Sequence, residues 1–247
     1  QNQIKAGRIV FPSGRSLPQI VDALVEGKTE ELPVTLLEGW TAEQIATALA
    51  ETGLTTREEF MDCLKTCDFS EFEFLPKRAR EGYLYPDTYF VDSASFSSPR
   101  FISRLFRTFR QKLDEDWSAL QQSGHTLEQI VIMASIVERE ERNPAEQPVI
   151  AGILWKRFDA ERGLDADATI LYALGRTKGG LTAQDLNIDS LYNTRKYRGL
   201  PPTAISNPGL SALRAAIYPQ NSPYWYYLHD AEGGVHYGRD LEEHNRN

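Results

Sequence analysis

From Ile130 to Val137 the chain carries no charge, and then Glu138, Arg139, Glu140 and Glu141 follow directly. Thr126 with Gln129 three residues on is a capping box, so the apolar run reads as a helix opening at Leu127. Ile130, Ala134 and Glu138 stack at i, i+4 and i+8 on that helix, flanked by Met133 and Val137. A helix that is apolar nearly all round belongs in a core, and Pro144 and Pro148 bound its far side.

The same periodicity predicts the other elements. "FPSGRSLPQIVDALVEG" from Phe11 and "LLEGWTAEQIATALAET" from Leu36 form a weak repeat, aligning Gly14 with Gly39 and Ser16 with Thr41. Each copy reads as strand, Gly turn and helix, with Ser16 and Thr41 as N-caps and Gln three residues on. A short helix over 56–67 places Phe60, Met61 and Leu64 on one face. The stretch "FSEFEFLPKRAR" (69–80) suits a linker. An amphipathic helix is expected over 99–122, with Phe101, Leu105, Phe109 and Leu113 as its stripe, and another over about 145–162. "LDADATILYALG" (164–175) is expected as strand or turn into a short helix. "YWYYLHDAEGGVHYG" (224–238) reads as a hairpin about Gly233 and Gly234. The fold class is α+β, with a small N-terminal module over residues 1–77 and a larger domain over 78–247.

Composition narrows the function classes. The 247 residues are 41% hydrophobic and 25% charged, ordinary for a chain that buries a core. A net charge of -8 argues against a nucleic-acid partner and offers no basic patch for an acidic membrane. No run of 18 apolar residues is present to span a bilayer. Residue 1 is Gln, so a preceding segment is expected to have been removed. Cys63 and Cys67 read as two semi-buried free thiols, with a local disulfide or a metal pair as the other readings. His229, His236 and His244 lack zinc-ligand spacing, and no metal is expected. G-x-S-x-G, P-loop and G-x-G-x-x-G motifs are absent.

Three segments carry candidate chemistry. Glu138 is either a carboxyl held at the edge of a dry core, where desolvation favours the protonated form a general acid needs, or an acid where the helix surfaces. "EGYLYPDTYF" (81–90) alternates Tyr83, Tyr85 and Tyr89 around Pro86 and Asp87, and reads as a strand with an aromatic packing face or as the wall of a sugar-binding cleft. "SLYNTRKYRGLPPTAISNPG" (190–209) is a long irregular stretch, either functional or an ordered structural loop.

Four blocks in order, "EGWTAEQIATALA" (38–50), "EGYLYPDTY" (81–89), "ASIVERE" (134–140) with "LDADATILYALG", and "YNTRKYRGLPPTAISNPGLSALRAAIYP" (192–219) ending in "EEHN" (242–245), resemble the endolytic murein transglycosylases, the YceG-like family. The resemblance implies a LysM-like N-terminal module and an enzyme that cuts peptidoglycan glycan strands between N-acetylmuramic acid and N-acetylglucosamine without water, leaving a 1,6-anhydromuramoyl end. It implies Glu138 as the acid and then the base, and no cofactor. It also implies Glu81, Tyr83, Tyr85, Asp87, Asp167, Thr169, Tyr192, Asn193 and Thr194 in cleft shaping and glycan contact. Ala168 stands where the family usually has Pro, Arg195 where it usually has Tyr, and the tail from His236 to His244 is one residue short. The family carries one N-terminal membrane helix. This chain is therefore expected to be the extracytoplasmic, soluble part of a single-pass membrane protein, with nascent glycan strands and peptidoglycan synthases as partners. A non-catalytic peptidoglycan-binding protein, and a glycoside hydrolase pairing Glu138 with Asp87 or Asp167, are the competing readings.

Overall fold

The structure is a computed structural model that describes residues 16–26, 31–77, 79–230 and 232–246. The elements in chain order are α1 (Leu17–Glu26), β1 (Glu31–Thr35), α2 (Ala42–Glu51), α3 (Arg57–Thr66), β2 (Thr88–Asp92), α4 (Ser98–Lys112), α5 (Trp117–Gln122) and α6 (Leu127–Glu140). There follow α7 (Gln147–Asp159), α8 (Asp167–Ala173), α9 (Ala183–Leu186), α10 (Leu210–Ile217), β3 (Tyr226–His229), β4 (Val235–Gly238) and α11 (Leu241–Arg246). Among the described residues the strands form two antiparallel pairs, β1 with β2 and β3 with β4. The class is therefore α+β, dominated by helices.

Local signals placed most helix starts. Thr41 and Thr126 both close complete capping boxes with Gln44 and Gln129, and Thr56 caps α3 through Glu59 N–H. Ser16 N–H donates to Gln19 Oε1 at 3.0 Å before α1, while the strand and turn expected at 11–14 lie outside the described residues. All eight residues from Ile130 to Val137 are buried on α6, which packs against α7, α8 and α10. The hairpin forms as expected, and Gly233 takes the left-handed φ of 86° that its turn requires.

One asparagine ties distant segments over this helix. Asn207 Oδ1 accepts from Gly82 N–H and Leu84 N–H, both at 2.9 Å. Its Nδ2 donates to Trp40 C=O at 3.0 Å and to Glu81 Oε1 at 2.7 Å. Its backbone exchanges two more bonds with Gly39 and Trp40. Ser135 of α6 straps the same loop down, accepting from Ile205 N–H through Oγ and from Ser206 Oγ through its carbonyl. The approach is so close that a Cβ on Gly82 would lie 2.6 Å from Ala204 Cβ and Val131 Cγ1.

Three expectations need correction. The long helix over 99–122 breaks at 113–116. Short-range bonds from Asp114 and Asp116 tighten the chain there, three acids at a helix C-terminus oppose its dipole, and buried Asp116 turns inward to Arg214 Nε at 2.8 Å. The strand read from Tyr83 starts only at Thr88, so Tyr83 and Tyr85 lie in a buried loop. Cys63 and Cys67 are joined in a disulfide with Cα atoms 4.8 Å apart, because Cys67 is the cap at which α3 gives way to extended backbone. The segment over 69–77 is irregular, yet Phe69 and Phe72 pack edge-on against Phe106, and Phe74 stacks on Phe109.

Replacing Asn207 with Ala strands two buried N–H groups. Urea unfolding should show a loss of about 2–4 kcal/mol. Asn207→Asp keeps the acceptor half but sets a second carboxylate against Glu81, and its deficit should grow as pH rises.

Candidate active site

Glu138 reaches the last turn of α6 because the apolar face beneath it is buried without a break. Its Oε2 accepts from Gly209 N–H at 3.0 Å. Gly209 is the N-cap of α10, so the carboxyl faces the positive end of that helix dipole. Gly39, at φ 75°, lies over the other side, and a Cβ there would come 3.5 Å from Glu138 Cγ. Burial pushes the Glu138 carboxyl up to about 7. The Glu38 carboxylate adds to this, while Gly209 N–H and Arg139 oppose it. The group is thus half-buried and poised to hold or release a proton near neutrality.

Glu138 opens on a groove of about 680 Å³ walled by Glu38, Trp40 and Gln44 on one side and by Glu140, Asp167, Ala168 and Leu171 on the other. Trp40 and Gln44 also line a hollow of about 640 Å³ along α2. Glu140 and Asp167 also line one of about 440 Å³ bordered by Arg195, Tyr226, Tyr227 and His244. The three hollows share residues end to end, and Glu138 lies in the middle one.

The acids that follow Glu138 have other partners. Glu140 accepts from Ala168 N–H at 3.2 Å and from Tyr227 hydroxyl at 3.0 Å. Burial raises its carboxyl and raises the Tyr227 hydroxyl well above its ordinary value. Buried Glu141 contacts His229 Nε2 at 3.0 Å and accepts from Asn143 N–H. Together they fasten the β3–β4 hairpin to the end of α6.

The structure brings Asp167 to the groove with Glu138, where Arg195 grips it at 2.7 Å. It gathers several others as supports. Glu81, half-buried, accepts from Ala42 N–H at the start of α2 and from Asn207, and burial pushes its carboxyl up to about 7. Tyr83 and Tyr85 are in the core. Buried Thr169 and Thr194 lie 3.1 Å apart between their hydroxyls, and Thr194 Oγ1 accepts from Ala166 N–H. Buried Asn193 donates to Leu186 and Ile188 carbonyls, and Tyr192 hydroxyl meets Thr203 at 2.7 Å. Asp87 pairs with Lys112 at 3.1 Å and lines none of the three hollows. Sequence reasoning did not single out Glu38, Trp40, Glu140, Asn207 or Gly209. All five stand inside the quoted blocks, which was the one signal available.

The chain matches the model of the YceG-like family over residues 1–247. It is 31% identical over 257 residues to the endolytic murein transglycosylase of Bacillus subtilis strain 168, covering 98% of this chain and 71% of that protein. It is 28% identical over 277 residues to the endolytic murein transglycosylase of Streptococcus pneumoniae D39, covering 99% of this chain and 50% of that one. The chain thus spans half the length of the pneumococcal relative. A 2.6 Å crystal structure of a yceG-like protein from Listeria monocytogenes is similar with a TM-score of 0.81 at 31% identity, over 93% of this chain and 80% of that one.

The raised carboxyls of Glu81 and Glu138 make stability depend on pH in a definite sense. A carboxyl with an ordinary value of 4.5 and a folded value of about 7 binds more protons folded than unfolded. Its contribution is full below 4.5 and is lost as pH rises through 7. Across that window Glu138→Gln and Glu81→Gln should each lose less stability than the parent, measured by urea unfolding at a series of pH values.

Proposed function

The chain belongs to the YceG-like family, and from that membership and the surroundings of Glu138 we propose that it is a lytic transglycosylase of peptidoglycan. The observation that carries the reading is one half-buried carboxyl, held by Gly209 N–H at the start of α10, facing a groove that shares lining residues with a hollow on either side. A glycan strand lies along the three linked hollows, with the bond between N-acetylmuramic acid and N-acetylglucosamine over Glu138. The half-buried Trp40 offers a ring for a sugar face on one side.

Protonated Glu138 gives its proton to the glycosidic oxygen as the bond to C1 breaks and positive charge grows on the muramoyl ring. The released carboxylate then takes the proton of the C6 hydroxyl while that oxygen bonds to C1. The products are a free N-acetylglucosamine hydroxyl and a 1,6-anhydromuramoyl end, with no water consumed and the acid restored. Gly209 N–H, which favours the charged form, steadies the carboxylate between the two transfers. Asp87 lies off the groove and Asp167 is committed to Arg195, which favours this route over a hydrolase using either as its second carboxylate.

Residues 1–77 serve as a LysM-like module and 78–247 as the catalytic domain. The module contributes Trp40 and Gln44 to the groove wall. The enzyme works on nascent strands outside the cytoplasmic membrane, beside peptidoglycan synthases and tethered by a membrane helix ahead of this sequence. The Cys63–Cys67 disulfide suits such an oxidising compartment.

Digestion of purified peptidoglycan followed by mass spectrometry should give anhydromuramoyl ends. Glu138→Gln should lose about 10²–10⁴-fold in rate while remaining folded. Hydrated ends would instead mean a hydrolase, and strand binding without cleavage a binding module. In the parent, kcat/KM should fall as pH rises through about 7, since the acid must start protonated.

A further inference from the structure

Gly209 touches two carboxylates. Its N–H donates to Glu138 Oε2 at 3.0 Å. Its Cα face is covered by Glu38, so closely that a Cβ would meet Glu38 Oε1 at 2.0 Å, Cδ at 2.2 Å and Cγ at 2.9 Å. The residue after Glu38 completes the clasp, because Gly39 packs on Glu138 Cγ and its N–H is held by Asn207 C=O at 2.9 Å. Only a residue without a side chain at 209 lets the Glu38 carboxylate lie down there, beside the acid and facing the same groove.

We propose that Glu38 is a positioning residue for the reaction: its negative charge, laid against Gly209, helps to keep Glu138 protonated in the resting enzyme. The inference rests on Glu138 being the acid. Its physical basis is Coulombic, since a like charge nearby disfavours ionisation of a second carboxyl. The other charges of the groove are Arg139, Glu140, Arg142, Asp167 and Lys178. Arg139 opposes Glu38, and its guanidinium donates to the Gly39 and Thr177 carbonyls. Glu140 is fastened to Ala168 and Tyr227, and Asp167 pairs with Arg195 at 2.7 Å. Burial of Glu138 is the larger cause of its shift, and Glu38 is the largest charged contribution.

The test compares the parent with Glu38→Gln, Glu38→Asp and Gly209→Ala, each checked for folding by circular dichroism. Carbon-13 carboxyl NMR follows the titration of Glu138 without substrate, and release of anhydromuropeptides is measured across pH. Glu38→Gln should move the Glu138 midpoint to lower pH. It should cost about threefold to tenfold in rate on the alkaline side, with a smaller loss on the acid side. Gly209→Ala, which displaces the Glu38 carboxylate, should shift the midpoint the same way, and Glu38→Asp should restore part of it. An unmoved midpoint in Glu38→Gln, or a uniform loss at every pH, would overturn the proposal. So would hydrated muramoyl ends that depend on Glu38, which would make it a base for water. Full activity in Glu138→Gln would sink the assignment of the acid itself, whereas the NMR midpoint reports the Glu38 coupling whether or not that assignment stands.

Discussion

The Asn207 carboxamide has two acceptor sites and two donor hydrogens, and all four are used on partners more than a hundred residues away in the chain. Gly39 and Trp40, Glu81 to Leu84, and the loop that runs into α10 meet at this one side chain. None of these segments has a helix or strand of its own to settle its backbone groups, so the amide does the work a ladder would do elsewhere. The groove depends on it directly. The peptide two residues beyond Asn207 is the one that bonds Glu138, and the peptide that Asn207 holds on the other side is the one that covers it.

That enclosure sets up opposed effects on one carboxyl. The α10 N-terminus and Arg139 favour the charge, whereas burial and Glu38 disfavour it, and burial is the larger. In the proposed mechanism the acid both gives and takes a proton, and such a balance serves it because neither protonation state is deeply preferred near neutrality. The balance costs stability at higher pH, as does a desolvated carboxyl at Glu81, which accepts from the first N–H of α2 and from Asn207. Function and architecture thus draw on the same desolvation.

The run of acids after the apolar stretch turns out to divide its tasks by direction. Successive residues of a helix end point about 100° apart, so Glu138 reaches α10, Glu140 reaches α8 and Tyr227, and Glu141, at the cap, reaches His229. The last two acids lock the terminal hairpin onto the helix that carries the first. Arg195 extends that side of the groove by gripping Asp167, with Ala168 beside it. Ala168 and Arg195, two of the three positions at which the resemblance marked a departure, therefore fall together beside Asp167.

What the sequence determined alone is what rests on neighbours within one or two helical turns. The Thr41 and Thr126 capping boxes, the apolar face of α6, the hairpin glycines and the position of Glu138 at the end of an apolar helix were all readable, because each is a pattern of three or four residues on one element. The resemblance of four ordered blocks added the chemistry. The tertiary structure decided everything that depends on which segment lies over which. The aromatic alternation of Tyr83 and Tyr85 became buried loop once Gly82 was pressed on Val131. The helix over 99–122 broke where Arg214, far along the chain, took Asp116. Glu38, Asn207 and Gly209 look like ordinary loop residues in the sequence and acquire their roles only by meeting across more than a hundred positions. Periodicity carries no information about such contacts, because hydrogen bonding and Coulombic coupling act through space and the chain's spacing records only the local part of it.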